Sequence, residues 1–145
     1  MYPLLLFNCI NISPEGTIKD EQIVSNLVVN AGLAYIASRM KDATATAMSH
    51  MEVGTNNTAA AAGNTALGAA ISSARVALTS TIVSANAIEY IGDFPAGTGT
   101  GAVVEAGVLN ASSGGTLLCR TVFSVVNKGA DDTLKITWTV TVSDT

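Results

Sequence analysis

The stretch Lys135-Ile136-Thr137-Trp138-Thr139-Val140-Thr141-Val142 decides the fold class. Apolar and polar side chains alternate along it, a period of two that is typical of a strand with one face in a core and the other in solvent. The preceding segment, Asn127-Lys128-Gly129-Ala130-Asp131-Asp132, is rich in residues that favour turns. The end of the chain is therefore predicted to be one strand of an antiparallel β-structure.

Further apolar runs precede this strand and are separated by turn residues about every 8–12 residues, a spacing typical of an antiparallel sandwich or barrel. The predicted strands cover residues 47–53, 75–83, 87–94, 103–109 and 116–126. The strand over 116–126 is apolar on both faces, so we expect it to be central or covered. A short helical turn is expected over 66–71. The fold class predicted is mainly β, an antiparallel β-sandwich or barrel with one N-terminal amphipathic helix.

The helix is predicted over residues 20–40. Its apolar positions fall at helical spacing and are Ile23, Val24, Leu27, Val28, Ala31 and Tyr35. Asp20 and Glu21 suit the positive N-terminus of a helix, and Arg39 and Lys41 suit its C-terminus. Gly32 inside the helix costs roughly 1 kcal/mol relative to alanine, so we expect it to mark a close backbone contact.

The chain is expected to consist of an N-terminal arm or strand over 1–16 and a single helix-plus-sandwich domain over 17–145. Two interpretations stay open for the apolar run from Leu4 to Ile12. It is either an extended arm that reaches a neighbouring subunit or the first strand of the domain's own sheet. The arm would bind a partner through Leu4, Leu5, Leu6, Phe7 and Ile10.

Composition excludes several classes of function. Charged residues make up 12% of the 145 residues, about half the usual share of roughly 25%. The net charge is −4 and the basic residues are scattered, so we expect no nucleic-acid binding. No apolar run approaches the roughly 20 residues that a membrane helix needs, and no membrane association is expected. So few charges indicate a surface covered by neighbouring subunits or solvated by Thr, Ser, Asn and Gly.

A catalytic site is not expected. The one histidine, His50, lies beside methionines on a predicted strand and is read as a packed or hydrogen-bonded residue. The acids Glu52, Glu89, Asp93 and Glu105 lie on separate predicted strands, where solvation is the expected role. The chain is therefore predicted to be no enzyme and to need no cofactor.

Cysteine and glycine patterns give no metal or nucleotide site. Cys9 and Cys119 with one histidine lack the clustering that zinc requires, and we interpret them as two small buried apolar residues. The run from Gly97 to Gly101 lacks the strand–helix context of a dinucleotide motif, so it is expected to be a loop with backbone conformations that glycine adopts at low cost. The Asp131-Asp132 pair lacks the spaced ligands of a calcium loop.

Six blocks, in order over roughly residues 20–142, carry a resemblance to a known family. They are Met48-Ser49-His50-Met51-Glu52-Val53-Gly54-Thr55, Asn64-Thr65-Ala66-Leu67-Gly68 with Arg75-Val76-Ala77-Leu78, Phe94-Pro95-Ala96-Gly97-Thr98-Gly99-Thr100-Gly101, Glu105-Ala106-Gly107-Val108-Leu109-Asn110, Gly114-Gly115-Thr116-Leu117-Leu118-Cys119-Arg120-Thr121-Val122-Phe123, and Leu134-Lys135-Ile136-Thr137-Trp138-Thr139-Val140-Thr141-Val142. The chain resembles small virion structural proteins of tailed bacteriophages, which include capsid cement (decoration) proteins and tail or baseplate accessory proteins.

This resemblance implies a non-enzymatic structural protein of the virion and leaves its place in the particle open. We expect the outer capsid surface, with assembly in the host cytoplasm. The expected partner is the major capsid protein, with a tail protein as the alternative, and a homotrimer or other homo-oligomer would suit a cement role. A carbohydrate-binding recognition module is a third possibility. It is the least favoured, because sugar sites usually show exposed aromatic side chains, whereas Trp138 falls on the apolar face of its strand.

Overall fold

In the computed structural model, residues 4–25, 27–41 and 46–142 are described, and over these ranges the chain forms ten strands and one helix. The elements are β1 (Leu4–Ile12), β2 (Ile18–Ser25), β3 (Leu27–Val28), α1 (Asn30–Arg39), β4 (His50–Gly54), β5 (Ala70–Ala77), β6 (Ser80–Ser84), β7 (Ala87–Phe94), β8 (Gly101–Leu109), β9 (Leu117–Lys128) and β10 (Thr133–Thr141).

The strands form two five-stranded antiparallel sheets that enclose one main core. Sheet A has the strand order β2-β1-β10-β7-β6, and sheet B has the order β3-β9-β8-β4-β5. The chain crosses from sheet A to sheet B between β2 and β3. It crosses back between β5 and β6. There Leu78 N–H donates to the carbonyl of Ser49, next to β4 of sheet B, whereas Thr79 N–H donates to the carbonyl of Ile91 in sheet A. The predicted β-sandwich is confirmed.

Three aromatic rings join the two sheets in the core. The ring of Phe7 stacks on Phe123 of sheet B with centroids 4.9 Å apart and meets the edge of Trp138 in its own sheet at 5.0 Å. Phe7 and Trp138 are fully buried, and Phe123 is nearly so. These are the inward-facing residues of their strands, as the alternation over 135–142 predicts for β10.

The segment Leu4–Ile12 is an internal strand rather than an extended arm. It pairs with β10 on one side, from Leu4 opposite Thr141 to Ile12 opposite Thr133, and with β2 on the other. The arm interpretation is therefore wrong and the first-strand interpretation is confirmed. The physical reason is the alternation of the segment, which places Phe7 in the core while both edges of its backbone find partners within the chain. A tight turn from Ser13 to Thr17 connects β1 to β2.

The helix predicted over 20–40 is wrong in its first half. Residues Ile18–Ser25 form β2, and the helix covers only Asn30–Arg39. Ile23 lies on the outer face and is 61% exposed, whereas Val24 packs on the core. Because Ile23 is apolar but lies on the solvent face, the apolar residues of this segment are spaced as they would be in an amphipathic helix.

The close contact predicted at Gly32 is confirmed, because a Cβ there would overlap the carbonyl oxygen of Leu118 in β9. Helix α1 thus lies directly against β9, with Tyr35 and Ile36 packed on the main core. Strand β9, predicted over 116–126 to be central or covered, is therefore covered by α1 where the helix contacts it. Within sheet B it pairs with β3 and β8.

Two other local expectations are corrected. The strand predicted over 75–83 is interrupted where the chain changes sheets, so its halves belong to β5 and β6. The helical turn expected over 66–71 is absent, since residues 66–69 have no regular structure and Ala70 begins β5. The prediction over 87–94 agrees with β7 at both ends.

Candidate protein interface

The outward face of sheet A carries an unusual number of apolar side chains for a sheet face in water. We define the apolar outer face as Leu6, Ile10, Ile23, Ile82 and Ile91, which share the outward side of β1, β2, β6 and β7. Leu6 is 50%, Ile23 61% and Ile82 52% exposed, and the other two are half-buried. An antiparallel sheet normally turns a polar face to solvent, so this face is a candidate interface.

Threonines complete the face, and charges lie mainly at one end. Thr137 and Thr139 of β10 lie half-buried between the apolar groups of β1–β2 and those of β6–β7. Lys135 stands directly opposite Asp93, a cross-strand arrangement that favours opposite charges. Glu89 is the neighbour of Ile82 across the β6–β7 hairpin. A partner would therefore meet aliphatic side chains and threonines, with Glu89 among them and with Glu21, Asp93 and Lys135 at one end.

An apolar cavity of about 410 Å³ opens at one end of the sandwich. Its walls come from α1, from sheet A and from sheet B, and include Tyr35, Ile36, Met48, Val83, Ile88 and Val140. Arg39 supplies a charged group to the lining. The volume lies within the range of small-molecule sites, roughly 300–1,000 Å³. Such a space can hold an apolar side chain or a small apolar molecule. Strand β6 therefore contributes to both features, with Ile82 on the outer face and Val83 at the cavity.

The residues predicted to bind a partner separate into two groups. Leu6 and Ile10 lie on the apolar outer face, whereas Phe7 is fully buried in the core and is closed to any partner. Leu4 and Leu5 pair with Thr141 and Val140 in the backbone register of β1, and their side chains lie outside the described part of the chain. The segment thus contributes to an interface as part of a sheet.

The residues examined for catalysis are dispersed. His50 Nδ1 lies 2.8 Å from the Ser49 hydroxyl, and among the described hydrogen bonds none joins a carboxylate to the imidazole. Glu52 and Glu105 lie on the outer face of sheet B, while Glu89 and Asp93 lie on that of sheet A. The four acids therefore occupy opposite sides of the sandwich and do not converge.

Glu105 is completely buried, so the expected solvation is wrong for this residue. It forms a salt bridge with buried Arg120, with 2.8 Å between Oε2 and the guanidinium. Its carboxylate also accepts backbone N–H groups of the 55–69 loop, from Asn56, Gly68 and Ala69 at 2.7–3.2 Å. Burial alone would raise the pKa of Glu105, but the hydrogen bonds from the loop and from Arg120 outweigh it and hold the pKa below its ordinary 4.5.

Arg120 adds two further bonds to the same loop, to Asn64 Oδ1 and to the carbonyl of Thr58, both at 3.1 Å. Arg75, on edge strand β5 of the same sheet, has the same role for another loop. It binds both carboxylate oxygens of Glu52, at 3.2 and 3.0 Å, and donates to the carbonyls of Ala111 and Gly114 in the β8–β9 loop. The two arginines fasten loops to the outer face of sheet B. A charged residue inside an apolar strand is the signal in the sequence that indicates such a pair.

The carboxylate of Asp132 is occupied by contacts within the chain. Its carboxylate pairs with Lys19 and accepts Gly129 N–H at 2.7 Å, and the hydrogen bond from Lys19, followed by that from Gly129, lowers the pKa of Asp132. The neighbouring Gly97 loop docks on this turn through Gly97 N–H and the carbonyl of Ala130 at 2.7 Å. Positive φ angles at its three glycines, Gly97, Gly99 and Gly101, confirm the predicted glycine-dependent loop.

Both cysteines are free and buried, as predicted. Burial, with a smaller effect of Asp20, raises the pKa of Cys9 to about 12, and burial raises the pKa of Cys119 as well. Thiolates are the reactive form of cysteine, so neither thiol is activated. Within the described ranges, no group of three or more His, Cys, Asp and Glu side chains could hold a metal ion.

The aromatic residues of the described ranges offer little contact area to a sugar. Phe7, Phe94, Phe123, Tyr90 and Trp138 are all buried, and Tyr35 is half-buried. No helix over the described residues is long and apolar enough to cross a membrane.

Comparisons of the chain with protein-family models, with curated proteins and with solved structures returned no match.

Proposed function

We propose that the chain is a non-enzymatic structural protein of a tailed-bacteriophage particle and acts as a capsid cement protein that stabilises the head shell. The observation that carries the proposal is the apolar outer face of sheet A, an ordered surface of exposed aliphatic side chains. The ordered series of sequence blocks that resembles phage virion proteins supports the same role. Placement on the tail as an accessory protein is the alternative.

The outer face has the physical character of a protein-binding surface. Exposed apolar patches on a soluble protein mark sites of interaction. Leu6, Ile23 and Ile82 are each at least half exposed, with Thr137 and Thr139 between the two apolar groups. Strands β1, β10 and β7 each pair with a strand on both sides. The backbone of the face is therefore already ordered, and we expect little ordering entropy to be lost on binding. The chain has seven basic residues among 145 and a net charge of −4. Since nucleic-acid binding depends on basic residues that neutralise phosphates, a protein surface is the better partner.

Imaging of intact particles tests the proposal directly. We would raise antibodies against the purified chain and locate them by immunogold labelling and electron microscopy on particles of the phage that encodes it. Regular label over the head facets, with hundreds of copies per particle, is the result expected of a cement protein. Label confined to the tail would contradict the cement role and support a tail accessory protein. Unlabelled particles would refute a virion role.

A pair of glutamate variants tests the face. Ile23→Glu places a charge on the outer face at a position that is already 61% exposed, so folding should be unaffected. Ser72→Glu adds the same charge on exposed β5 of the opposite sheet. We expect Ile23→Glu to bind particles lacking the protein at least tenfold more weakly than wild type, and Ser72→Glu to bind normally. Equal binding by all three proteins would exclude the outer face as the contact.

A further inference from the structure

Four strands form the lateral edges of the two sheets, and three of them are protected against pairing with another chain. Strand β2 carries Lys19, Asp20 and Glu21, and its register with β1 shifts at Ile12. Strand β5 is distorted at Ser73, where φ is +59°. Strand β3 has two residues and leads into α1. Charges, bulges and short length are the usual protections of a free edge.

Strand β6, Ser80–Ser84, has none of these protections. Its five residues, Ser-Thr-Ile-Val-Ser, include no charge, no proline and no glycine. One edge pairs with β7 in unbroken register, and no strand of the described chain lies on the other edge. Ile82 is 52% and Val83 70% exposed. An uncharged free edge rich in β-branched residues is the kind of strand that accepts another strand.

The hairpin geometry determines which backbone groups are free. Ser84 and Ala87 flank a two-residue loop, and such flanking residues exchange both of their hydrogen bonds. By alternation, Ile82 and Ser80 also direct their backbone groups toward β7. The N–H and C=O groups of Thr81 and Val83 therefore point away from the sheet.

These free groups match those of a second copy turned by 180°. An antiparallel pairing centred on Ile82 places Thr81 opposite Val83 of the second copy, and Val83 opposite its Thr81, so that four backbone hydrogen bonds form. Ile82 then faces its own counterpart in a non-hydrogen-bonded pair, and Ser80 faces Ser84. A two-fold interface must be self-complementary in this way. Side chains of similar size face each other on both sides of the joined sheet, Ile82 with Ile82 and Val83 with Thr81. The pairing covers part of the exposed surface of Ile82 and Val83.

Charge does not oppose this pairing. Glu89 is the nearest acid on the outer face, beside Ile82. Its counterpart in the second copy lies three strand spacings away, about 14 Å, which exceeds the Debye length of about 8 Å at physiological ionic strength.

We propose that a second copy of this chain pairs with β6 about a two-fold axis at Ile82, which joins two A sheets into one ten-stranded sheet. The axis is perpendicular to the sheet, so the apolar outer faces of both copies point to the same side. This inference goes beyond the proposed function, because it depends on the backbone edge of β6 and not on what the outer face binds. An edge of five residues buries less than the roughly 1,200 Å² of a stable specific interface, so the dimer is weak in dilute solution and is favoured where copies are held close together.

Cysteine variants test the register. In Ile82→Cys the two sulfurs would meet across a non-hydrogen-bonded pair, whose Cα atoms lie about 4.5 Å apart and can be bridged by a disulfide. In Val83→Cys they would form a diagonal pair about 7–8 Å apart, which is too far. The native cysteines are buried and do not compete. We expect mild oxidation to convert Ile82→Cys to a covalent dimer at least tenfold faster than Val83→Cys.

Val83 is the more exposed of the two positions, so random collisions would favour cross-linking of Val83→Cys. Equal or faster cross-linking at position 83 would overturn the proposed register. Sedimentation velocity of the wild-type chain from micromolar to millimolar concentration should show a monomer–dimer equilibrium that is abolished in Val83→Lys. It should be retained in Ser72→Lys, which adds the same charge on exposed β5 of the opposite sheet. A monomer at all concentrations, or a trimer, would overturn the dimer. None of these outcomes depends on particle binding.

Discussion

At the scale of single residues, the contact between Gly32 and β9 has a measurable consequence. A methyl group at this position would overlap the Leu118 carbonyl oxygen, which belongs to backbone and cannot move aside. We expect Gly32→Ala to lower the free energy of unfolding by about 3 kcal/mol, as in overpacked cores, although alanine is the better helix former. Urea denaturation measures the change.

Gly63→Ala is the matched control, since a Cβ there meets nothing within 4 Å and its φ is not in the left-handed region. It should be neutral or slightly stabilising. Equal losses in the two variants would show that the helix does not depend on this contact.

Ala85 adopts φ of +52° in the β6–β7 turn, a conformation that costs a residue with a Cβ roughly 1–2 kcal/mol. Glycine avoids that cost but loses more backbone entropy on folding. We expect Ala85→Gly to raise the free energy of unfolding by about 0.5 kcal/mol, whereas Ala87→Gly, in the strand beside it, should lower it. The melting temperatures of the two variants should move in opposite directions, and a shared direction would contradict the assigned strain.

At the scale of elements, the 55–69 loop is held by a buried ion pair. Removing one partner of such a pair costs about 3–5 kcal/mol because the other charge stays buried. We expect Glu105→Gln to lose about 3 kcal/mol at pH 7, and the amide protons of Asn56, Gly68 and Ala69 to exchange faster with solvent. The variant Arg120→Met combined with Glu105→Gln should recover part of this loss, since it leaves no unpaired charge.

The same pair gives a pH dependence of known sign. The pKa of Glu105 is lower in the folded protein than the ordinary 4.5, so its contribution is complete above the unfolded pKa and is lost as pH falls through the folded pKa. The difference in stability between wild type and Glu105→Gln should be constant from pH 7 to about 5.5 and shrink below about 4.5. A difference that grows on acidification would contradict the assigned shift.

Element types could be predicted where one face of a strand is apolar and the other polar, as in β10. The first half of the predicted helix failed because Ile23 is apolar yet lies on the solvent face, so β2 lacks the alternation that identifies a strand. The pairing of Glu105 with Arg120 depends on the register of β8 against β9, which local patterns do not encode.

At the scale of the whole molecule, the first and last strands of the described chain lie together inside sheet A. Strand β10 pairs with β1 on one side and β7 on the other, and it buries Trp138 and Ile136. We expect a chain that stops after Asp132 to be unfolded by circular dichroism and NMR, whereas one that stops after Val142 should fold. A folded shorter chain would show that sheet A tolerates the loss of its central strand.

The sandwich class could be predicted from the sequence, but its candidate interface could not. Leu6 and Phe7 are both large apolar neighbours in one run, and only the pairing of β1 shows that one lies outside and the other in the core. The arm interpretation treated the run as a single apolar surface. A strand divides it between two faces.

The central position of β10 also bears on how the protein is made. A ribosome delivers β1 more than a hundred residues before its partner β10 leaves the exit tunnel, so sheet A closes only after translation has passed Thr141. A product that terminates early lacks the middle of a sheet rather than a dispensable end. Its exposed Phe7 and unpaired strand edges suit recognition by chaperones and proteases. Folding of sheet A therefore requires both β1 and β10, which lie more than a hundred residues apart in the chain.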